Sequence, residues 1–184
     1  MTGQAVPRPR RPRLVVLAGL PGTGKSTLAR LLAEQLGGAW LRVDTIEASL
    51  LKAGLTQSFE TGLAAYLAAR DLARDQLAMG HDTIVDAVNG VDPARQMWRD
   101  LAGELQADRF VVEVVCSDQE EHRRRIESRG SLTPPLPAPT WDEVVRREYR
   151  PWREPILRVQ GDRSPVENVS RVLDYLSRPP PKRV

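Results

Sequence analysis

Apolar residues along the chain fall into two alternating rhythms. Short continuous apolar runs at residues 14–18, 39–43, 83–86, 110–116 and 156–160 have the length and β-branched content of buried strands. Between them the apolar positions recur every three or four residues, as in the long stretch holding Phe59, Leu63, Tyr66, Ala69, Ala73 and Leu77. Punctuation agrees with these elements. Gly37-Gly38 ends a first helix running over residues 26–36, and Gly80 stops the long one. Asp92-Pro93 supplies a cap and a first-turn proline for a helix reaching about Gln106, and Asp118 caps the helix after the fourth strand. Thr140 to Glu143 and Ser164 to Glu167 both read as capping boxes, opening helices on either side of the fifth strand.

Strands joined by helical crossovers imply an α/β fold, a parallel sheet covered on both faces. Ligands then gather at the carboxyl ends of the strands. Gly19, Asp44, Asp86 and Cys116 fall at that edge. The stretch from Ser131 to Thr140 carries four prolines and reads as a stiff connection, not a packed element.

At 184 residues the chain is most simply one domain with a full core. The formal charge of +3 is uneven: seven of the 27 basic residues lie in the two Pro/Arg-rich ends, where no acid occurs. That leaves 20 basic against 24 acidic residues in the body, a net of −4, so nucleic acid is not indicated as a partner of its surface. Residues 1–13 and 178–184 are expected to be disordered tails around a domain at 14–177. Arg10-Arg11 before an apolar stretch imitates a secretion signal, but the stretch runs into a glycine loop with no small-residue cleavage site. No segment has the length of a membrane span, and the one cysteine, Cys116, is expected to be a small core residue. A cytoplasmic location is the expectation.

Residues 19–27 read G-L-P-G-T-G-K-S-T, a complete G-x-x-x-x-G-K-[ST] phosphate loop between a strand and a helix. Gly19, Pro21, Gly22, Thr23, Gly24, Lys25, Ser26 and Thr27 are therefore the expected nucleotide-binding residues. Backbone N–H groups cradle phosphates, Lys25 reaches the β- and γ-phosphates, and the Ser26 hydroxyl ligates Mg²⁺. Asp44, past the second strand, has the position of a general base or acceptor ligand, with a helix cap as the alternative. Asp86, ending the third strand, resembles the carboxylate that orients Mg²⁺, with a turn residue before Asn89-Gly90 as the alternative. Arg125 and Arg129 share a helix face and are expected to close over the transferring group, against the plainer reading of a solvated face in which Glu120 and Glu121 pair with Arg124 and Arg125. Arg95 is either an acceptor-pocket residue or a surface residue. The tryptophans and Tyr66 are core or stacking residues, with Trp141 and Trp152 as packing anchors, and neither His81 nor His122 has partners at metal-ligand spacing.

Together the P-G-T-G-K-S-T loop, V-D-T at Asp44, I-V-D-A at Asp86 and R-x-x-x-R at Arg125 and Arg129 resemble the adenylate-kinase-like branch of P-loop phosphotransferases. The likeness extends to chloramphenicol phosphotransferase, gluconate kinase, the kinase half of polynucleotide kinase and AAA-type ATP-binding proteins. It implies a three-layer sandwich with sheet order 2-3-1-4-5, a lid after the fourth strand at about 123–150, and transfer of the ATP γ-phosphate to a small acceptor beside Asp44. The chain departs from shikimate kinases in having Asp44-Thr45-Ile46 where they carry D-x-D, and it lacks the N-R-D-D run of polynucleotide kinase. The expected function is an ATP- and Mg²⁺-dependent kinase acting on a hydroxyl of a metabolite, nucleoside or antibiotic. Alternatives are a nucleotide-controlled binding module and a nucleic-acid 5′-hydroxyl kinase aided by the basic tails.

Overall fold

A computed structural model describes residues 10–128, 130–131 and 133–181. Five parallel strands form one sheet: β1 Arg13–Ala18, β2 Ala39–Arg42, β3 Thr83–Asp86, β4 Asp108–Val115 and β5 Leu157–Gln160. Their order is β2-β3-β1-β4-β5, the expected one. The helices are α1 Lys25–Leu36, α2 Val43–Lys52, α3 Phe59–Ala78, α4 Asp92–Glu104, α5 Gln119–Ser128, α6 Trp141–Arg146 and α7 Pro165–Leu176.

The pleat of β1 explains the two cores. Leu14 and Val16 face one side, where they meet Val85 and the alanine stripe Ala65, Ala69 and Ala73 of α3 together with Trp98 and Leu101 of α4. Val15 and Leu17 face the other, against Leu28, Ala29 and Leu32 of α1 and Val169, Val172 and Leu176 of α7. Because both faces are covered, β1 is apolar at every position after Arg13 and lacks the alternation of a half-exposed strand.

Three local differences from the sequence reading have physical causes. β2 ends at Arg42 and α2 starts at Val43, so Asp44 lies in the first turn of a helix that the spacing of Val43, Ile46 and Leu50 supports. The Thr140 box forms, with the Thr140 side chain accepting from the Glu143 N–H and Glu143 reaching back. The Ser164 box does not: α7 starts at Pro165 and Ser164 makes no side-chain cap bond. At the amino edge of the sheet, Asp82 binds the end of the basic leader. Its carboxylate accepts from the Arg13 backbone N–H at 2.8 Å, the Arg13 guanidinium at 2.9 Å and Arg10 at 2.9 Å. Burial alone works to raise this carboxyl, but the arginine hydrogen bonds together outweigh it and hold it below its ordinary value.

Candidate active site

The site is built at the carboxyl edge, where β1 leads through the glycine loop into α1. Gly19 sits at φ 138, and a Cβ there would overlap the Val114 carbonyl oxygen, so only glycine fits. Its N–H donates to Val88 O at 3.1 Å, which ties the loop to the end of β3. The Thr23 hydroxyl donates to Leu20 O at 2.9 Å, and Lys25, buried, donates from Nζ to the same carbonyl at 2.8 Å. From outside, α5 supports the loop. His122 Nε2–H donates to Pro21 O at 2.7 Å, and its ring meets Trp141 of α6 edge-on at 5.2 Å. Ile126, one turn on, packs on Gly22.

Asp86 lies behind the loop, 3% exposed. Burial pushes its carboxyl up, opposed by the charge of Lys25 and by a hydrogen bond from Ser26. Its Oδ2 is buried with no hydrogen-bond partner. Such an oxygen fits a Mg²⁺ site. Mg²⁺ takes one or two protein oxygens and completes its shell with phosphate and water, and Ser26 with Asp86 offers that donor set. Among the described residues no cluster of three or more His, Cys, Asp or Glu suggests a different metal centre.

Two regions flank this point. On the α1–α7 side, a cavity of about 420 Å³ is lined by Gly24, Thr27, Arg125, Gly161, Arg163 and Asn168, among others. Arg125 donates to Glu121 at 2.7 Å and to Gly161 O at 2.8 Å, so it joins the expected pairing with Glu121 to a position at the cavity mouth. Gly161 and Arg163 carry no motif, and the sequence reading passes over them. Gly161 is nevertheless pressed against the phosphate loop, since a Cβ on it would overlap the Thr23 carbonyl. Arg129 falls outside the described residues.

On the opposite side Asp44, with its side chain about half exposed, lies 3.6 Å from the Arg42 guanidinium, which also stands 3.9 Å from Asp86. Glu47 follows one turn along α2, and burial together with the Asp44 charge pushes its carboxyl up against the opposing charge of Arg147. The Tyr66 hydroxyl accepts from the Asn89 N–H at 3.3 Å, and burial pushes its phenol up to about 12. A spacing of three residues between Asp44 and Glu47 was the available signal for the second carboxylate.

Arg95 fills neither of its expected roles. It is 3% exposed, and its guanidinium donates to four carbonyls: Asn89 at 2.9 Å, Gly90 at 3.2 Å, Arg150 at 2.5 Å and Pro151 at 3.1 Å. It stacks on Trp152 at 3.8 Å. With its donors spent on the backbone, Arg95 locks segment 150–152 onto the loop after β3 and is not presented to an acceptor. Asn89 completes the hub. Fully buried at φ 49, it donates from Nδ2 to Leu17 O at 2.7 Å and accepts from the Trp98 indole at 2.9 Å. Cys116 lies just past β4, half-buried, with its thiol raised by burial and hydrogen-bonded to Asp118 O. It is an edge residue, not a core one.

A nucleotide loop at the switch between β1 and β3, with a cavity on the α7 side and Asp44 on the β2 side, defines the fold and site of the P-loop small-molecule kinases. The chain belongs to an AAA-domain family, whose model matches residues 14–151. It is 34% identical over 116 residues to an uncharacterized protein of Mycobacterium tuberculosis, covering 57% of this chain and 23% of that one. The chain thus spans about a quarter of the length of the mycobacterial relatives it matches. A shikimate kinase of Rhodopseudomonas palustris is 29% identical over 175 residues, covering 92% of this chain and 86% of the relative. Among solved structures, an APS kinase of Mycobacterium tuberculosis in complex with AMPPNP and APS superposes with a TM-score of 0.72 at 25% identity, over 92% of this chain and 100% of that one. No helix among the described residues is long and apolar enough to cross a membrane.

Proposed function

We propose that this chain is a Mg²⁺-dependent phosphotransferase that moves the γ-phosphate of ATP to a hydroxyl of a small molecule. The observation that carries the reading is a pair: the phosphate loop with Lys25, Ser26 and Asp86 beside a cavity lined by Gly24, Thr27 and Arg125, and the Asp44 carboxylate on its other side, joined to Asp86 through Arg42 at 3.6 Å and 3.9 Å. A nucleotide switch needs only the first of these. A kinase needs both, because donor and acceptor must meet in line at one phosphorus.

The roles follow from the donors present. The loop amides and the Lys25 ammonium hold the phosphates, and the Lys25 charge opposes the negative charge that accumulates during transfer. Mg²⁺, held through Ser26 and Asp86, would supply further neutralisation when bound. Asp44, kept near Arg42, orients the acceptor hydroxyl and takes its proton, a role worth about 10² to 10⁴ in rate. Arg125 covers the phosphates from the cavity mouth, and Arg129 is proposed to join it on the motif alone.

A nucleic-acid acceptor is disfavoured by the placement of the basic leader. Arg10 and Arg13 are held by Asp82 at the amino edge of the sheet, a strand's length from the phosphate loop, about 20 Å. The reading is tested by Asp44→Asn. Turnover is expected to fall at least a hundredfold with ATP affinity unchanged, roughly the lower bound for a general base. Unchanged turnover would return Asp44 to the role of a helix first-turn acid.

A further inference from the structure

We infer that His122 is a positioning residue of the nucleotide site: it locks the Pro21–Gly22 peptide so that the Gly22 N–H faces the bound phosphates. The inference rests on the nucleotide-binding part of the phosphotransferase reading and brings into that part a residue outside the phosphate-loop motif.

Of the ten residues of α5, Gln119–Ser128, His122 and Ile126 are the two that are buried, and at a spacing of four they share a face. Both land on the phosphate loop. A Cβ on Gly22 would lie 2.7 Å from Ile126 Cδ1 and 3.1 Å from His122 Cδ2, while His122 Nε2–H donates to Pro21 O at 2.7 Å. A carbonyl oxygen only accepts, so the proton of this bond sits on Nε2. Trp141, at the start of α6, meets the imidazole edge-on at 5.2 Å and holds its plane.

What the bond controls follows from the turn beneath it. Leu20 to Thr23 form a tight turn closed by the Thr23 N–H to Leu20 O at 3.4 Å, with Gly22 at φ 84. Proline followed by a glycine at positive φ is the type II arrangement. A type I turn accommodates the same two residues and differs by rotating the central peptide through roughly half a turn. Glycine takes either sign of φ, so the identity of residue 22 leaves this rotation open. The Pro21–Gly22 peptide is trans, and its C=O and N–H therefore point in opposite directions. With Pro21 O drawn toward α5, the Gly22 N–H is aimed away from α5, to the side where the loop amides gather phosphate. Rotated, the same peptide would turn a carbonyl oxygen toward the phosphates and remove one donor. The neighbouring carbonyl, Leu20 O, is held from within the loop by the Thr23 hydroxyl at 2.9 Å and Lys25 Nζ at 2.8 Å, whereas Pro21 O is held from outside it, by His122.

The test compares His122→Phe with His122→Gln. Phenylalanine keeps a ring beside Gly22 and Trp141 but has no donor, and the glutamine amide places an N–H close to where Nε2 stood. Binding of AMPPNP with Mg²⁺ is measured by calorimetry, a thermal melt is taken for each protein, and ¹⁵N spectra record the Gly22 amide without nucleotide. In His122→Phe the affinity is expected to fall about five- to tenfold, one hydrogen bond's worth of the competent loop conformer. Its melt should stay near that of wild type, and its Gly22 signal should shift or double. His122→Gln is expected to recover most of the affinity. Undiminished affinity in His122→Phe, or an equal loss in both variants, would overturn the inference, because the ring would then act by packing alone. A side-chain ¹⁵N spectrum of the wild-type protein showing His122 Nε2 without a proton would overturn it independently of any variant. Wild-type protein that binds no AMPPNP would instead remove the nucleotide site, and with it both the phosphotransferase reading and this inference.

Discussion

Replacing Arg95 with methionine separates its structural role from any contact with acceptor. The change keeps most of the side-chain volume and its packing on Trp152 but removes the donors to four carbonyls. Arg150 and Pro151 are exposed, so their carbonyls regain water, and the buried Gly90 carbonyl keeps the Arg150 backbone N–H at 2.8 Å, whereas the buried Asn89 carbonyl loses the Arg95 donor. A buried polar group left unsatisfied costs about 1–3 kcal/mol, which makes about 2 kcal/mol for the Asn89 carbonyl the central expectation. For a chain of this size each kcal/mol lowers Tm by about 2–4 °C, so a fall of roughly 4–8 °C is expected in a thermal melt followed by circular dichroism. Arg95→Lys should recover only part of the loss, because an ammonium group cannot serve carbonyls from both segments in the plane of a guanidinium. Segment 150–152 should also become more open to proteolysis, since it keeps the Arg150 N–H bond to Gly90 but loses both of its carbonyl bonds to Arg95. A variant with an unchanged melt and a raised acceptor KM would refute the structural assignment and restore Arg95 to the acceptor pocket.

Two further changes test other parts of the architecture. Gly161→Ala places a methyl group on the Thr23 carbonyl, so the phosphate loop must shift. ATP-analogue affinity measured by calorimetry should fall by at least tenfold, with a stability loss of about 1–3 kcal/mol typical of overpacking, and retained affinity would mean that the β5–α7 loop is not part of the nucleotide site. Asp82 carries a carboxyl held below its ordinary value, so its contribution is complete above the unfolded carboxyl range, about pH 4, and disappears as pH falls through the lower folded value. The Tm gap between wild type and Asp82→Asn should therefore be constant from neutral pH down to that range and close below it. A gap that persists in acid would assign the loss to packing instead of charge.

The phosphate loop, the sheet and its order were legible because each is written locally or follows from a motif. Buried strands show as continuous apolar runs, and the loop is a contiguous string of residues whose backbone conformation and ligand contacts are set by its own glycines. What was not legible depends on distant pairings. Gly161 resembles any turn glycine until the Thr23 carbonyl is brought against it, and Arg95 resembles a surface arginine until the 150–151 carbonyls arrive. Glu47 shares this property. Its helix spacing to Asp44 was visible, but its partial burial and the nearby charge of Arg147 came only with the fold. The Ser164 cap shows the opposite error, a local signature whose hydrogen bond the fold does not use.

Phosphoryl transfer to a hydroxyl acceptor is tested most directly by incubating the protein with γ-labelled ATP and Mg²⁺ against pooled nucleosides, polyols, amino sugars, sugar acids and hydroxylated antibiotics, with Lys25→Met as the control. Label is expected in an acceptor within one pool, absent with the Lys25→Met protein while its thermal melt remains cooperative. Label appearing only as free phosphate, at the same slow rate in every pool, or transfer undiminished in Lys25→Met, would contradict the account.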